Sequence, residues 1–151
     1  MQELNLPPYD YRLKKEGEQI RIFDPIRKKY VALTPEEWVR QHFINFLLSE
    51  KNVPAGLVIF EKKITMNTMS RRPDILVHNK KGKPVMIVEC KAPEVKISQD
   101  TFDQIARYNS VIKAPYLVVT NGLQHYCCRM DHLNDSYQFL EDIPDYEEII
   151  G

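Results

Sequence analysis

Two stretches of the chain hold residue types suited to hydrolytic chemistry. Arg72-Pro73-Asp74 comes first, and Val85-Met86-Ile87-Val88-Glu89-Cys90-Lys91 follows after a short turn. Side chains alternate along a strand, so Glu89 and Lys91 share one face while Cys90 points to the other. Two ionisable groups ending an apolar strand cost several kcal/mol unless they pair or bind a ligand. Asp74 begins the preceding strand, and the turn signal Asn79-Lys80-Lys81-Gly82 makes the two strands antiparallel neighbours. Asp74 then comes beside Glu89, giving two carboxylates and an ammonium in one cluster. Oxygen ligands of this kind suit Mg²⁺, which keeps several waters. Lysine beside such an ion can polarise a water or stabilise charge developing on a phosphorus centre. A bare Glu-x-Lys is not specific, since Glu61-Lys62-Lys63 and Glu94-Val95-Lys96 match it too. From these residues alone, an active site and a structural salt bridge at a sheet edge are both open readings.

The elements that must position this cluster follow from local signals. Residues 11–15 and 19–24 flank Glu16-Gly17-Glu18 and predict a small amphipathic hairpin. Thr34-Pro35-Glu36-Glu37 is a helix start: Thr34 caps, Pro35 suits the first turn, and Glu37 completes a capping box. That helix carries Val39, Phe43, Phe46 and Leu47 on one face and ends near Lys51-Asn52. Strands are predicted at 57–65, 74–77, 84–91, 116–120 and 124–130, with a second helix capped by Ser98 and reaching about Asn109. The order describes an α/β fold with a central mixed sheet flanked by helices. No repeat or flexible linker divides the chain, so residues 1–151 are expected to form a single domain.

Other residues have readings of both kinds. Gln104 and Tyr108 lie four apart on one helix face, where they suit either a phosphate contact or an ordinary polar and half-buried pair. Glu36 lines up with Phe43 seven residues on, which turns its side chain inward; a helix-dipole acid is the plainer alternative. Arg71 and Arg72 precede Asp74, and Lys62, Lys63, Lys80, Lys81 and Lys83 lie nearby in sequence. All suit phosphate contacts with DNA, with a solvated basic turn as the default for Lys80 to Lys83. His125, Cys127, Cys128 and His132 lack a C-x-x-C pair, and strand alternation separates the adjacent cysteines, which disfavours zinc. No G-x-x-x-x-G-K-[ST] occurs, so no built-in ATP-driven motor is expected.

With these residues in view, the chain resembles the PD-(D/E)xK nuclease superfamily, most closely the N-terminal nuclease domain of type I restriction endonuclease R subunits. Pro73-Asp74 with Glu89-Cys90-Lys91 matches the signature, and Ala92-Pro93 after the lysine fits as well. Gln104-Ile105-Ala106-Arg107-Tyr108 is similar to the Q-x-x-x-Y motif of related branches. Thr120-Asn121-Gly122 and the segment from Pro35 to Gln41 are also similar, so the likeness spans residues 34–130. It implies a restriction-endonuclease-like fold and Mg²⁺-dependent hydrolysis of DNA phosphodiesters, with Mn²⁺ as a substitute. Asp74, Glu89 and the Cys90 main-chain carbonyl are then the metal ligands, with Lys91 and Gln104 catalytic. Glu36 and Tyr108 support them, and Arg71 and Arg72 contact DNA. The alternative is a non-catalytic DNA-binding or assembly module that keeps the fold. Other restriction or repair subunits are possible partners.

Composition narrows the setting. Hydrophobic residues make up 43% and charged residues 28% of the 151, ordinary for a water-soluble folded domain. No apolar run approaches the roughly 18 residues of a membrane span. The first residues lack the basic and apolar regions of a signal peptide. Three cysteines cannot all pair, so a reducing cytoplasm is the expected compartment. Basic and acidic residues balance at 21 each, but residues 141–151 hold five acids and no Lys or Arg. The rest of the chain is therefore moderately basic, as a nucleic-acid partner requires. That acidic tail is expected to be a solvated end or a screen over the basic face.

Overall fold

A computed structural model describes residues 1–60, 64–66, 69–71 and 74–151, with the backbone alone at 60, 64–66, 69–71 and 108. Gly17, in the left-handed region at φ +64°, turns the chain between β1 (Leu13–Glu16) and β2 (Gln19–Asp24). β3 (Lys29–Ala32) pairs with β2 to complete a three-stranded antiparallel sheet. α1 (Pro35–Glu50) starts as its sequence predicts, with the Glu37 N–H donating to Thr34 Oγ1 at 3.0 Å and Pro35 in the first turn.

Next in the chain come β4 (Val58–Phe60), then β5 (Ile64–Met66) and β6 (Met69–Arg71), which pair with each other. β7 (Ile75–His78), β8 (Pro84–Cys90), α2 (Gln99–Ile112), β9 (Tyr116–Thr120) and β10 (His125–Asp131) follow, then β11 (Ser136–Leu140) and α3 (Tyr146–Ile150). The main sheet runs β11-β10-β9-β8-β7-β4. Among the described residues only β8 and β9 pair in parallel, and α2 is the crossover that this pairing needs. The fold is thus the mixed α/β sheet with flanking helices that the sequence predicts. Met86, Val88 and Cys90 of β8 pack with Val39, Phe43 and Leu47 of α1. Ile87, between them, packs on the opposite face with Phe102 and Ile105 of α2. Among the described residues no helix is long and apolar enough to cross a membrane.

β3 and β6 are strands not predicted from the sequence, and other local expectations change too. The strand predicted at 57–65 is described as β4, ending at Phe60, and β5, which belongs to a different sheet; 61–63 lie outside the described residues. β11 is added at the sheet edge, where its largely exposed pattern hid it from a search for apolar alternation. The acidic end is not a solvated tail. Ile143, Tyr146 and Ile149 are buried in the α1-side core, while the carboxylates of Glu141, Asp142, Glu147 and Glu148 face water. Hydrogen bonds tie it in as well: the Tyr146 N–H donates to the Lys51 carbonyl at 2.9 Å, and the Asn52 side chain donates from Nδ2 to the Asp145 carboxylate Oδ2 at 2.9 Å.

Gly122 follows β9 at φ +86°, where a Cβ would lie 2.8 Å from Leu4 Cδ2 and 3.1 Å from Val39 Cγ2. Gly122→Ala is expected to destabilise the fold by about 1–3 kcal/mol, through backbone strain and overpacking. Urea denaturation of the two proteins measures it.

Candidate active site

The β7–β8 pairing builds the site. Ile75 opposes Val88 in antiparallel register, which carries Asp74, one residue earlier, to the end of β8. There the Cys90 N–H donates to Asp74 Oδ2 at 2.7 Å. The Lys91 N–H donates to the Thr120 carbonyl at 2.8 Å, extending the β8–β9 pairing one residue past the strand and fixing the lysine backbone. Lys91 Nζ lies 3.7 Å from Glu89 Oε1, both on the face opposite Cys90. The Cys90 thiol is buried on the α1 side, and burial, then the Asp74 charge, pushes its pKa well up. It is a packing residue, and only its main chain is available to a ligand.

Sequence reasoning missed the residue that organises the acids. Arg40, buried on α1, donates from Nη2 to Asp74 Oδ1 at 2.5 Å and to Glu36 Oε1 at 3.0 Å, and from Nη1 to Glu37 Oε1 at 2.6 Å. Burial opposes its charge, but Asp74 and Glu37 outweigh that and hold the guanidinium protonated beyond its ordinary range. The sequence carries no direct signal for it; the structure shows residues 37–44 of α1 all buried, so a charge among them requires partners. Glu37 also departs from expectation. Its backbone is capped by Thr34, but its carboxylate binds Arg40 and accepts from Gln41 Nε2 at 2.9 Å rather than closing a capping box. Glu36 does turn toward the site. Its pKa is raised, first by burial and then by Asp74, while Arg40 and Lys91 pull it down.

The remaining candidates are less gathered. Gln104 is exposed on α2, and among the described residues no hydrogen bond joins it to Asp74, Glu89 or Lys91. Tyr108 and Arg71 are described in backbone only, and Lys62, Lys63, Arg72 and Pro73 lie outside the described residues. Lys80, Lys81 and Lys83 are exposed around the Asn79 turn, whose Oδ1 accepts from the Lys81 and Lys83 N–H groups. Cys127 and Cys128 enter opposite cores, as alternation requires. An open cleft of about 610 Å³ lies on β10 and β11, between Arg129 and Gln138; it includes His132 but none of the candidate nuclease residues.

In kind, the donors fit a hard dication: two carboxylates and a main-chain carbonyl, with a lysine beside them. Among the described residues no three of His, Cys, Asp and Glu gather closely enough to hold a metal ion. One Asp74 oxygen already accepts from Arg40 and the other from Cys90.

A family model described as type I restriction enzyme R protein N terminus matches residues 35–144. No curated protein matches the chain. Among solved structures, the chain is similar in fold to a fragment described as an HsdR subunit of a type I restriction enzyme from Vibrio vulnificus. The identity is 20% and the TM-score 0.55, over 78% of this chain and 25% of that one. The chain thus corresponds to about a quarter of that structure's length.

Proposed function

The chain belongs to the type I restriction enzyme R protein N-terminus family, and from that premise we propose that it is a Mg²⁺-dependent DNA nuclease of the PD-(D/E)xK type. The observation that supports this most is the convergence of Asp74, Glu89 and Lys91 at the paired ends of β7 and β8. Asp74, Glu89 and the Cys90 carbonyl are the residues that would hold Mg²⁺, or Mn²⁺ in its place. Bound there, such an ion supplies Lewis acidity toward a phosphate oxygen and a more acidic water. Lys91 presents its ammonium to the scissile phosphate and offsets the charge that builds there. Glu89, within reach of Lys91, orients that ammonium. Gln104, Tyr108 and Glu36 support the phosphate and the acids, and Arg71 and Arg72 neutralise flanking phosphates. Partners in this reading are DNA and other restriction or repair subunits, in the cytoplasm.

One observation favours a second reading, a non-catalytic DNA-binding or assembly module: Arg40 already supplies a positive charge to Asp74. Incubation with linear, nicked and single-stranded DNA separates the two. Cleavage with Mg²⁺ or Mn²⁺ that stops with EDTA is the expected result. Retained DNA binding with no cleavage of any substrate favours the module.

A further inference from the structure

We propose that Arg40 is a positioning residue acting as a built-in counter-cation: it holds Asp74 and Glu36 together without metal and competes with a divalent cation for Asp74. This rests on the nuclease reading above.

Three features carry it. First, the guanidinium reaches three carboxylates at once, those of Glu36, Glu37 and Asp74. An arginine cannot shed its proton to make way for a second cation. Second, Arg40 is braced from behind. Glu37 accepts from Gln41, whose Nε2 also donates to the fully buried Asp24 at 3.0 Å. Asp24 is in turn clamped by Arg27 Nε at 2.6 Å and by the Ile26 and Arg27 N–H groups. This chain of contacts runs from the three-stranded sheet to the site, so the Arg40 charge is anchored within the fold rather than loose in solvent. Third, Asp74 has an independent anchor, the Cys90 N–H on its other oxygen. Removing Arg40 therefore changes the charge beside Asp74 while that anchor keeps the carboxylate in place.

The third feature makes the idea testable by sign. Losing a partner that merely orients a metal ligand weakens metal binding, by about 10–100-fold. Losing a competing cation strengthens it.

The test titrates Mn²⁺ into the full chain without DNA and follows the paramagnetic resonance signal of free Mn²⁺. Wild type, Arg40→Gln and Arg40→Lys are compared, each with and without Asp74→Asn. Arg40→Gln is expected to bind Mn²⁺ about tenfold more tightly than wild type, with Arg40→Lys in between. Asp74→Asn should remove the binding in every background. Thermal melts add a second readout: Arg40→Gln should melt lower without metal and recover more on adding Mn²⁺. Equal or weaker binding by folded Arg40→Gln, with Asp74-dependent binding in wild type, overturns the proposal and leaves the nuclease reading standing. No Asp74-dependent binding in any of the proteins overturns both. If Arg40→Gln does not fold with or without Mn²⁺, Arg40→Lys decides. Its ammonium lacks the planar fork that serves three carboxylates, so tighter binding than wild type supports the proposal and equal or weaker binding overturns it.

Discussion

If the chain is the nuclease proposed above, Lys91→Ala is expected to slow its Mg²⁺-dependent DNA cleavage by roughly a hundredfold or more, the usual effect of removing one group that stabilises transition-state charge. Its stability should hardly change. The Lys91 and Glu89 side chains are 32% and 16% exposed and 3.7 Å apart, and a loose pair that keeps contact with water contributes about 1 kcal/mol. The lysine backbone stays fixed to Thr120 whatever the side chain. Single-turnover cleavage rates beside thermal melts therefore separate catalysis from architecture. If Lys91 and Glu89 form only a structural bridge, the variant loses stability and leaves any background cleavage untouched. Activity equal to wild type in a folded Lys91→Ala protein rules out the catalytic assignment.

Deleting residues 141–151 is expected to unfold the protein or nearly so, rather than to unmask a DNA-binding face. The segment places Ile143, Tyr146 and Ile149 in the α1-side core, and the Tyr146 hydroxyl donates to the His78 carbonyl at 3.4 Å. Burying one such side chain contributes about 1.5–3 kcal/mol. Three of them rival the whole net stability of a domain, about 5–15 kcal/mol. Tyr146→Ala alone should cost about 3–5 kcal/mol, as large aromatic truncations do, and urea titration measures it. A deletion protein with an unchanged unfolding midpoint would contradict the packing described. Charge can be changed without touching the core at Glu147 and Glu148, which are exposed. Their neutralisation, not truncation, is the way to ask whether this end repels DNA.

Much of the local geometry of the candidate site is legible in the sequence. The Thr34-Pro35 start set the register of α1, and strand alternation placed Glu89 and Lys91 opposite Cys90. A turn at Asn79 to Gly82 dictated antiparallel neighbours and so brought Asp74 to the end of β8. All three are short-range consequences of backbone torsion, capping and the two-residue period, which neighbouring residues encode directly. The α/β order followed from the same signals.

Tertiary structure decided the rest. In the sequence, Arg40 looks like half of an ordinary helix pair with Glu36, four residues away. Its contact with Asp74 spans 34 positions and exists only because α1 packs across the ends of β7 and β8. The acidic end misled for a related reason, since composition counts its five acids equally with the three apolar side chains that dock it. Charge partnership and burial depend on which surfaces meet and exclude water, and that desolvation is a property of packed elements. Local sequence by itself determined which residues share a face; packing determined which of those faces lost water, and hence that Asp74 has an arginine beside it.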